Sequence, residues 1–262
     1  MAVHPTAIVH DSAELGDVEV GPYAVIGAGV QLHDGVKVGA HAVIDGPTVV
    51  GARTEIGHHA VLGGQPQDLK HDRAASTRLV IGTDNVFREF SSAHRGSSHS
   101  TGVTTIGDHN YFMANSHVAH DCVVGSHTMF ANSAAIAGHV RVDDGAILGG
   151  LCAVHQFCRV GRLSMVGGGA MCAQDVPPFS IAQGDRARLY GLNIIGLRRA
   201  GFDIDAVTAL KDAWRRLFVS DLPRKLALAQ VEESQGSVAE VAELLAFVRD
   251  SDRGVCRAGL QS

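Results

Sequence analysis

Apolar residues recur at every sixth position over two long stretches of this chain. From Val20 the series runs Val20, Ile26, Leu32, Val38, Ile44, Val50, Ile56 and Leu62. From Ile106 it runs Ile106, Phe112, Val118, Val124, Phe130, Ile136, Val142, Leu148, Val154, Val160 and Val166. All 19 positions (8 + 11) are apolar in a chain that is 45% hydrophobic, and 0.45 to the power 19 is on the order of 10⁻⁷. Small or β-branched residues such as Val18, Ala24, Val30, Ala42 and Ser164 stand two places earlier, and Gly often follows, as at Gly21, Gly57, Gly125 and Gly167. A hexapeptide repeat of this kind predicts a parallel β-helix.

In such a solenoid each hexad makes one short strand and one corner. The apolar residue points inward, the small one fits the tight interior near the corner, and glycine relieves strain where the backbone bends. Hexapeptide solenoids as a class wind left-handed with three faces per coil, against the usual right-handed crossover. Residues 18 apart (three hexads) then stack at roughly one strand spacing, ~4.8 Å.

The period slips twice after residue 20. Leu62 to Ile81 is 19 residues, one more than three hexads, and carries Gly63-Gly64-Gln65-Pro66-Gln67-Asp68-Leu69-Lys70. Ala93 to Ile106 is 13 residues, one more than two hexads, and carries His94-Arg95-Gly96-Ser97-Ser98-His99-Ser100. Insertions near 63–80 and 94–105 are therefore expected as loops on one face, frequently the binding face. An earlier slip between Leu15 and Val20 reads as a one-residue trim in a capping coil.

After Pro177-Pro178 the hexads stop. Residues 203–219 read as an amphipathic helix, with Val207, Leu210, Trp214, Leu217 and Phe218 near helical spacing. Two more helices are expected at about 222–234 and 237–250, the second opened by Ser237 as N-cap with Glu240 three residues on. The expected organisation is a left-handed parallel β-helix domain, 1–185, and a C-terminal α-helical domain, 186–262.

A net charge of −5 gives no case for nucleic acid or a membrane surface. No run reaches transmembrane length, and Met1-Ala2-Val3-His4-Pro5 has neither a basic nor an apolar leader region, so a cytoplasmic protein is expected. Of five cysteines, Cys122, Cys152 and Cys158 fall at the small interior position, where a thiol packs as a small hydrophobe. Among the 15 histidines, His4, His10, His33, His41, His58, His59, His99, His109 and His127 fall at corners or in loops and read as solvated. His117, His120, His139 and His155 stand apart because of their coil positions.

Counting by 18 places His120, Gly138 and Gln156 in one column, with Asp121 and His139 in the next. His117 and His155 lie on neighbouring rows. A base, a carboxylate, an unhindered glycine backbone and two polar side chains on one face suit acyl transfer: a base for the nucleophile, an orienting acid and an N–H for the oxyanion. A plain polar ladder on a β-helix face is the alternative on columns alone.

Several ordered segments carry a family resemblance: Gln67-Asp68-Leu69-Lys70, His117-Val118-Ala119-His120-Asp121-Cys122, Ala137-Gly138-His139-Val140, Ala153-Val154-His155-Gln156-Phe157 and Gln174-Asp175-Val176-Pro177-Pro178. With these, nearly the whole chain resembles the UDP-N-acetylglucosamine O-acyltransferases, hexapeptide-repeat enzymes of the first step of lipid A biosynthesis. The resemblance implies transfer of an (R)-3-hydroxyacyl group from acyl carrier protein to the glucosamine 3-OH of UDP-N-acetylglucosamine, in a homotrimer whose sites lie between adjacent chains. It implies His120 as general base, Asp121 as its orienting partner and the Gly138 N–H as oxyanion donor. Gln67, Asp68, Lys70, His117, His139, His155 and Gln156 would line the substrate pocket, with Asn193 and Arg199 at the nucleotide end. Gly168 corresponds to a chain-length position, where glycine leaves the acyl groove open; with Met113 and Met171 nearby a medium-to-long chain is expected. No cofactor and no metal are implied, since a thioester needs neither to be attacked.

Two positions depart from the family pattern. Ile195 stands where an acidic residue is frequent, and Ala200 where a second arginine follows Arg199. From Arg186 to Lys225 nine Lys/Arg face four Asp, an excess of five (9 − 4) that reads as a solvated helix face on charge alone and, with the resemblance, as a docking patch for the acidic carrier protein. Three rival classes differ from this chain at identifiable features. γ-Class carbonic anhydrases resemble His-x4-His, whereas this chain has His117-x2-His120. The N-acylating relative carries an N-terminal uridine-binding domain for which the hexads leave no room. A CoA-dependent acetyltransferase differs in its donor.

Overall fold

The computed structural model describes residues 1–259, and its strands form three sheets of 11, nine and eight strands. Up to Cys172 each strand pairs not with its neighbour in sequence but with the third strand along, always in parallel. The chain thus winds round a three-sided prism, one strand per face. In uninterrupted coils partners are 18 apart, as in Tyr111 opposite Met129, His117 opposite Ala135 and Val123 opposite Arg141. The offset grows to 31 between Glu55 and Val86 and to 25 between Val86 and Tyr111, so the insertions add 13 and seven residues (31 − 18, 25 − 18). It shrinks to 17 between Ala2 and Glu19, in agreement with the trimmed first coil.

The apolar hexad positions stack into columns along the prism axis. Phe87, Phe112 and Phe130 form one such stack, with ring centroids 4.5 and 4.9 Å apart and every ring buried. A single coil has no interior of its own, so burial comes from the coils above and below. Asn110 breaks the small-residue rule and is nonetheless buried. Its Oδ1 accepts from the Thr128 N–H and hydroxyl (both 2.7 Å), its Nδ2 donates to the Gly125 carbonyl (2.9 Å), and its own N–H donates to Asn85 Oδ1 (2.9 Å). With every polar atom paired, its burial costs little.

From Tyr23 on, most corners place a residue at positive φ, and where glycine is absent the ladder itself offsets the strain. Tyr23, His41, His59 and Phe90 occupy one corner column at φ 57–59° and stack ring on ring at 5.0, 4.9 and 5.0 Å. A left-handed non-glycine residue costs roughly 1–2 kcal/mol, a scale that aromatic stacking of about 0.5–1.5 kcal/mol largely offsets. His109 and His127 repeat the device at another corner, 5.0 Å apart. These histidines do sit at corners, as expected, but in stacked ladders rather than as free solvated rings.

The strand Ser180–Gln183 pairs with Met165–Val166 and then, antiparallel, with Arg188–Leu192, which ends the sheet. Four helices follow: α1 (Ile194–Arg199), α2 (Ile204–Phe218), α3 (Arg224–Gln235) and α4 (Ala239–Arg249). Helix α1 has no counterpart in the sequence reading. Helix α2 matches its expected span, with Asp203 capping the Ala206 N–H at 2.7 Å. The expected Ser237 cap is incorrect: α4 begins two residues later, Val238 holds the cap position in extended backbone, and no side chain caps it. The helices share a core of Leu197, Leu210, Val231, Val241 and Leu245. Arg162 clamps them to the solenoid, pairing with Glu243 at 2.7 Å while lying over Phe179 and Phe202. Among the described residues no helix is long and apolar enough to cross a membrane.

Candidate active site

The coil register brings the predicted residues to one edge of the prism. His117 lies on the strand His117–Val118, and His120 and Asp121 form the corner after it. The His139 N–H donates to the His120 carbonyl (3.0 Å) and the Phe157 N–H to the Gly138 carbonyl (3.2 Å), so 120, 138 and 156 climb the edge one coil at a time. Asp121, His139 and Phe157 take the positive-φ corner position at 58°, 62° and 65°, and the His139 and Phe157 rings stack at 4.4 Å.

His120 Nδ1 and Asp121 Oδ2 are 2.8 Å apart; the carboxylate is fully buried and the imidazole 13% exposed. Asp121 Oδ2 also accepts from the Ser97 N–H (3.0 Å), Oδ1 from the Thr101 hydroxyl (3.4 Å), and the Asp121 N–H donates to Thr104 Oγ1 (2.8 Å). Burial pushes the Asp121 carboxyl up, but hydrogen bonds from Ser97 and His120 outweigh it and hold the group below its ordinary range. An ionised carboxylate only accepts, so the proton on His120 sits at Nδ1 and Nε2 carries the free lone pair. The His120 ring lies against Gly138: a Cβ there would stand 2.5 Å from Cε1 and 2.7 Å from Nε2. Among the described residues the Gly138 N–H has no hydrogen-bond acceptor.

Both insertions fold over this edge. In the first, Asp68 Oδ1 accepts from the Lys70 N–H (2.9 Å), and His71 joins it to the second, its Nδ1 accepting from the Ser98 N–H (3.2 Å). His99 contacts the Lys70 carbonyl, and Ser100 Oγ lies 3.3 Å from His139 Nδ1. Burial lowers the His139 pKa, partly countered by Asp121. Gln67 and Lys70 are exposed, Asp68 half-buried and Leu69 wholly exposed, so the loop tip stands clear of the rest of the chain.

His94 was not singled out in the sequence and belongs to this cluster. It is 9% exposed, its ring 4.8 Å edge-on from His117, while His117 Nδ1 is 2.9 Å from the Ser92 hydroxyl. Burial, then the proximity of His117 and His120, pushes His94 down to about 4, and burial lowers His117 as well. The buried His94 Nδ1 has no partner among the described residues, which gives a proton there nothing to bind. The unfolded chain takes up that proton below about 6.5 and the folded chain only near 4. Stability is therefore full above pH 6.5 and falls on acidification through this window, by up to about 3 kcal/mol from His94. In urea titrations at fixed protein concentration, His94→Gln should lose less stability than wild type between pH 7 and 4.5. Equal losses would refute the assignment.

Further sites sit away from the centre. His155 and Gln156 are exposed on the next coil, His155 Nδ1 being 3.2 Å from the Gln156 carbonyl. Gly168 is an exposed corner residue with room for a Cβ, 3.4 Å from the Gly150 carbonyl. Asn193 is buried and caps α1: its Oδ1 accepts from the Gly196 N–H (3.1 Å) and its Nδ2 donates to the Leu163 carbonyl (2.9 Å). Arg199 ends α1, exposed. All five cysteines are free and buried, and burial pushes Cys122 and Cys256 up to about 12 and Cys152 and Cys158 to about 11, as packing thiols should behave.

His120, Asp121 and His139 hold donor atoms within 4.8 Å of one another, the one such trio among the described residues. Asp121 is engaged by His120 and Ser97, which leaves the outer imidazole nitrogens as the free donors, short of a zinc set. A hollow of about 730 Å³ on the N-terminal coils, lined by Glu19, Lys37, Glu55, His58 and Arg88 among others, contains none of the predicted site residues.

Residues 175–256 match the family model described as UDP N-acetylglucosamine O-acyltransferase, domain 2, and residues 104–138 match bacterial transferase hexapeptide (six repeats). The chain is 51% identical over 258 residues to the acyl-[acyl-carrier-protein]–UDP-N-acetylglucosamine O-acyltransferase of Anaeromyxobacter dehalogenans, covering 98% of this chain and 100% of that one. It is 45% identical over 260 residues to the protein of the same name from Paraburkholderia phymatum, at 97% and 99% coverage. Among solved structures, LpxA of Acinetobacter baumannii superposes with a TM-score of 0.94 at 40% identity, covering 97% of this chain and 99% of that one. LpxA of Bacteroides fragilis, described as a UDP-N-acetylglucosamine acyltransferase, gives 0.95 at 35% identity, with 98% and 100% coverage.

Proposed function

Because this chain belongs to the UDP-N-acetylglucosamine O-acyltransferase family and is a left-handed parallel β-helix like its relatives, we propose that it transfers a 3-hydroxyacyl group from acyl carrier protein to the 3-OH of UDP-N-acetylglucosamine, the first step of lipid A biosynthesis. The observation that carries the mechanism is the buried Asp121–His120 pair set against the open Gly138 backbone. His120 Nε2 takes the proton of the 3-OH as that oxygen attacks the thioester carbonyl. Asp121 keeps the proton on Nδ1 and stabilises the imidazolium. The Gly138 N–H donates to the oxyanion. Collapse breaks the C–S bond, and His120 returns its proton to the departing carrier thiol. His117, His139, Gln67, Asp68 and Lys70 line the acceptor side, His155, Gln156 and Arg199 the nucleotide end, and Asn193 holds α1, which carries Arg199.

The protein works as a cytoplasmic homotrimer, with the site completed by a second protomer. Tyr23, Phe90 and Leu151 are exposed along a single corner column, and Leu69 projects from its loop, an apolar surface that a partner chain would cover. Sedimentation at micromolar concentration should give three chains; a fully active monomer would overturn this. Residues 186–262 act as the carrier-docking domain, where Arg186, Arg188, Arg198, Arg199, Lys211, Arg215, Arg224 and Lys225 are all exposed.

A donor-by-acceptor activity matrix tests the reading. Acyl carrier protein thioesters should be used far better than the same acyl groups on CoA, and UDP-N-acetylglucosamine better than other UDP-sugars. Because the docking charges are solvated, KM for the carrier protein should climb steeply with ionic strength. Charge reversal at Arg215 and Arg216 should mimic high salt. Equal use of acyl-CoA, or a salt-independent KM, would favour the CoA-dependent reading instead.

A further inference from the structure

After α4 the chain turns back along the end of the solenoid. Asp175, 1% exposed, pins this return: its backbone N–H donates to the Gly254 carbonyl (2.9 Å) and its carbonyl accepts from the Cys256 N–H (2.8 Å). Its carboxylate accepts from the Arg159 N–H (2.8 Å) and the Ser251 hydroxyl (2.6 Å). The Leu189 N–H donates to the Arg257 carbonyl (2.9 Å), fixing the far side. A buried carboxylate thus holds the tail segment that carries Arg253. The Arg253 guanidinium is 3.2 Å from His155 Nδ1 and 3.3 Å from the Ala173 carbonyl, and it is exposed.

Resting on the reading above, we infer that Arg253 is a ligand of the nucleotide-sugar diphosphate and positions His155 to be a second. A guanidinium only donates, so when Arg253 holds His155 Nδ1 that nitrogen accepts, the proton lies on Nε2, and Nδ1 has none to give the Gln156 carbonyl 3.2 Å away. That makes His155 Nε2 a donor beside the exposed Arg253 guanidinium. Among the described residues Arg253 meets only neutral acceptors, so its charge is not spent on a carboxylate. The spacing fits: Gln156, next to His155, lies two coils above His120, roughly 10 Å at ~4.8 Å per coil, about the reach of a pyranose ring and its anomeric phosphates.

The test is equilibrium binding of UDP, uridine and UDP-N-acetylglucosamine to the purified protein, with steady-state kinetics alongside. Charge-assisted hydrogen bonds predict that Arg253→Ala weakens UDP and UDP-N-acetylglucosamine about 10- to 100-fold, leaves uridine within about twofold, and raises KM for the nucleotide sugar with little change in kcat or in KM for the carrier protein. Arg253→Lys should recover part of the loss, and Ser251→Ala should show a smaller loss in the same parameter. Unchanged UDP affinity, equal losses of UDP and uridine, or a uniform fall of all constants with a lowered Tm would overturn the inference. A wild-type protein that binds neither UDP nor the nucleotide sugar would instead overturn the proposed function.

Discussion

His120→Ala should lower kcat by roughly 10²–10⁴-fold, the range for loss of a positioned general base, while the fold survives. A sugar hydroxyl is a poor nucleophile until a nearby group accepts its proton, and His120 Nε2 is the free lone pair that the Asp121 contact leaves on this edge. The ring is 13% exposed and its removal leaves a small surface recess rather than a core cavity, so stability should change little. Asp121→Asn should give a smaller loss, because the amide can still accept from Ser97 but can present the wrong partner to Nδ1. Steady-state kinetics with circular dichroism checks both. Near wild-type turnover in His120→Ala would remove the mechanism.

Gly138→Ala should be nearly as damaging, for a steric reason. Its Cβ would sit 2.5 Å from His120 Cε1 and 2.7 Å from Nε2, closer than Cβ atoms approach a neighbour, and the ring must turn away. Turning breaks the 2.8 Å contact with Asp121 or re-aims Nε2, and a misplacement of about 1 Å can cost on the order of 10²-fold in rate. The defect should appear in kcat, with substrate affinity and thermal stability close to wild type. Because both parts act as one unit, His120→Ala/Gly138→Ala should be scarcely worse than His120→Ala alone. Fully additive losses would place Gly138 outside the machinery.

The period of six exposes the solenoid because each coil repeats the same burial problem, and the 18-residue offsets observed at His117 and Ala135 are those of three hexads. That same count aligns His120, Gly138 and Gln156 before any coordinate is known. It is blind across the insertions. His94 precedes Ala119 by 25 residues, not 18, because seven are inserted, so no step of 18 lands on it although it packs against His117. Asn110 violated the small-residue rule and still lies inside, since hydrogen bonds to adjacent coils replace apolar packing. The helical tail was legible as amphipathic helices but not in its caps: Ser237 has the right chemistry for an N-cap and the backbone simply starts the helix later. The Arg253–His155 contact joins residues 98 apart through a tail with no periodicity, which leaves no sequence signal to read.

The central claim is that this edge acylates one hydroxyl of one sugar nucleotide. NMR of the product formed from a 3-hydroxyacyl carrier protein and UDP-N-acetylglucosamine tests it most directly. The account predicts a single ester at O3 with free carrier thiol released in equal amount. An ester at another position, an N-acylated product, or no transfer by the purified protein would contradict it.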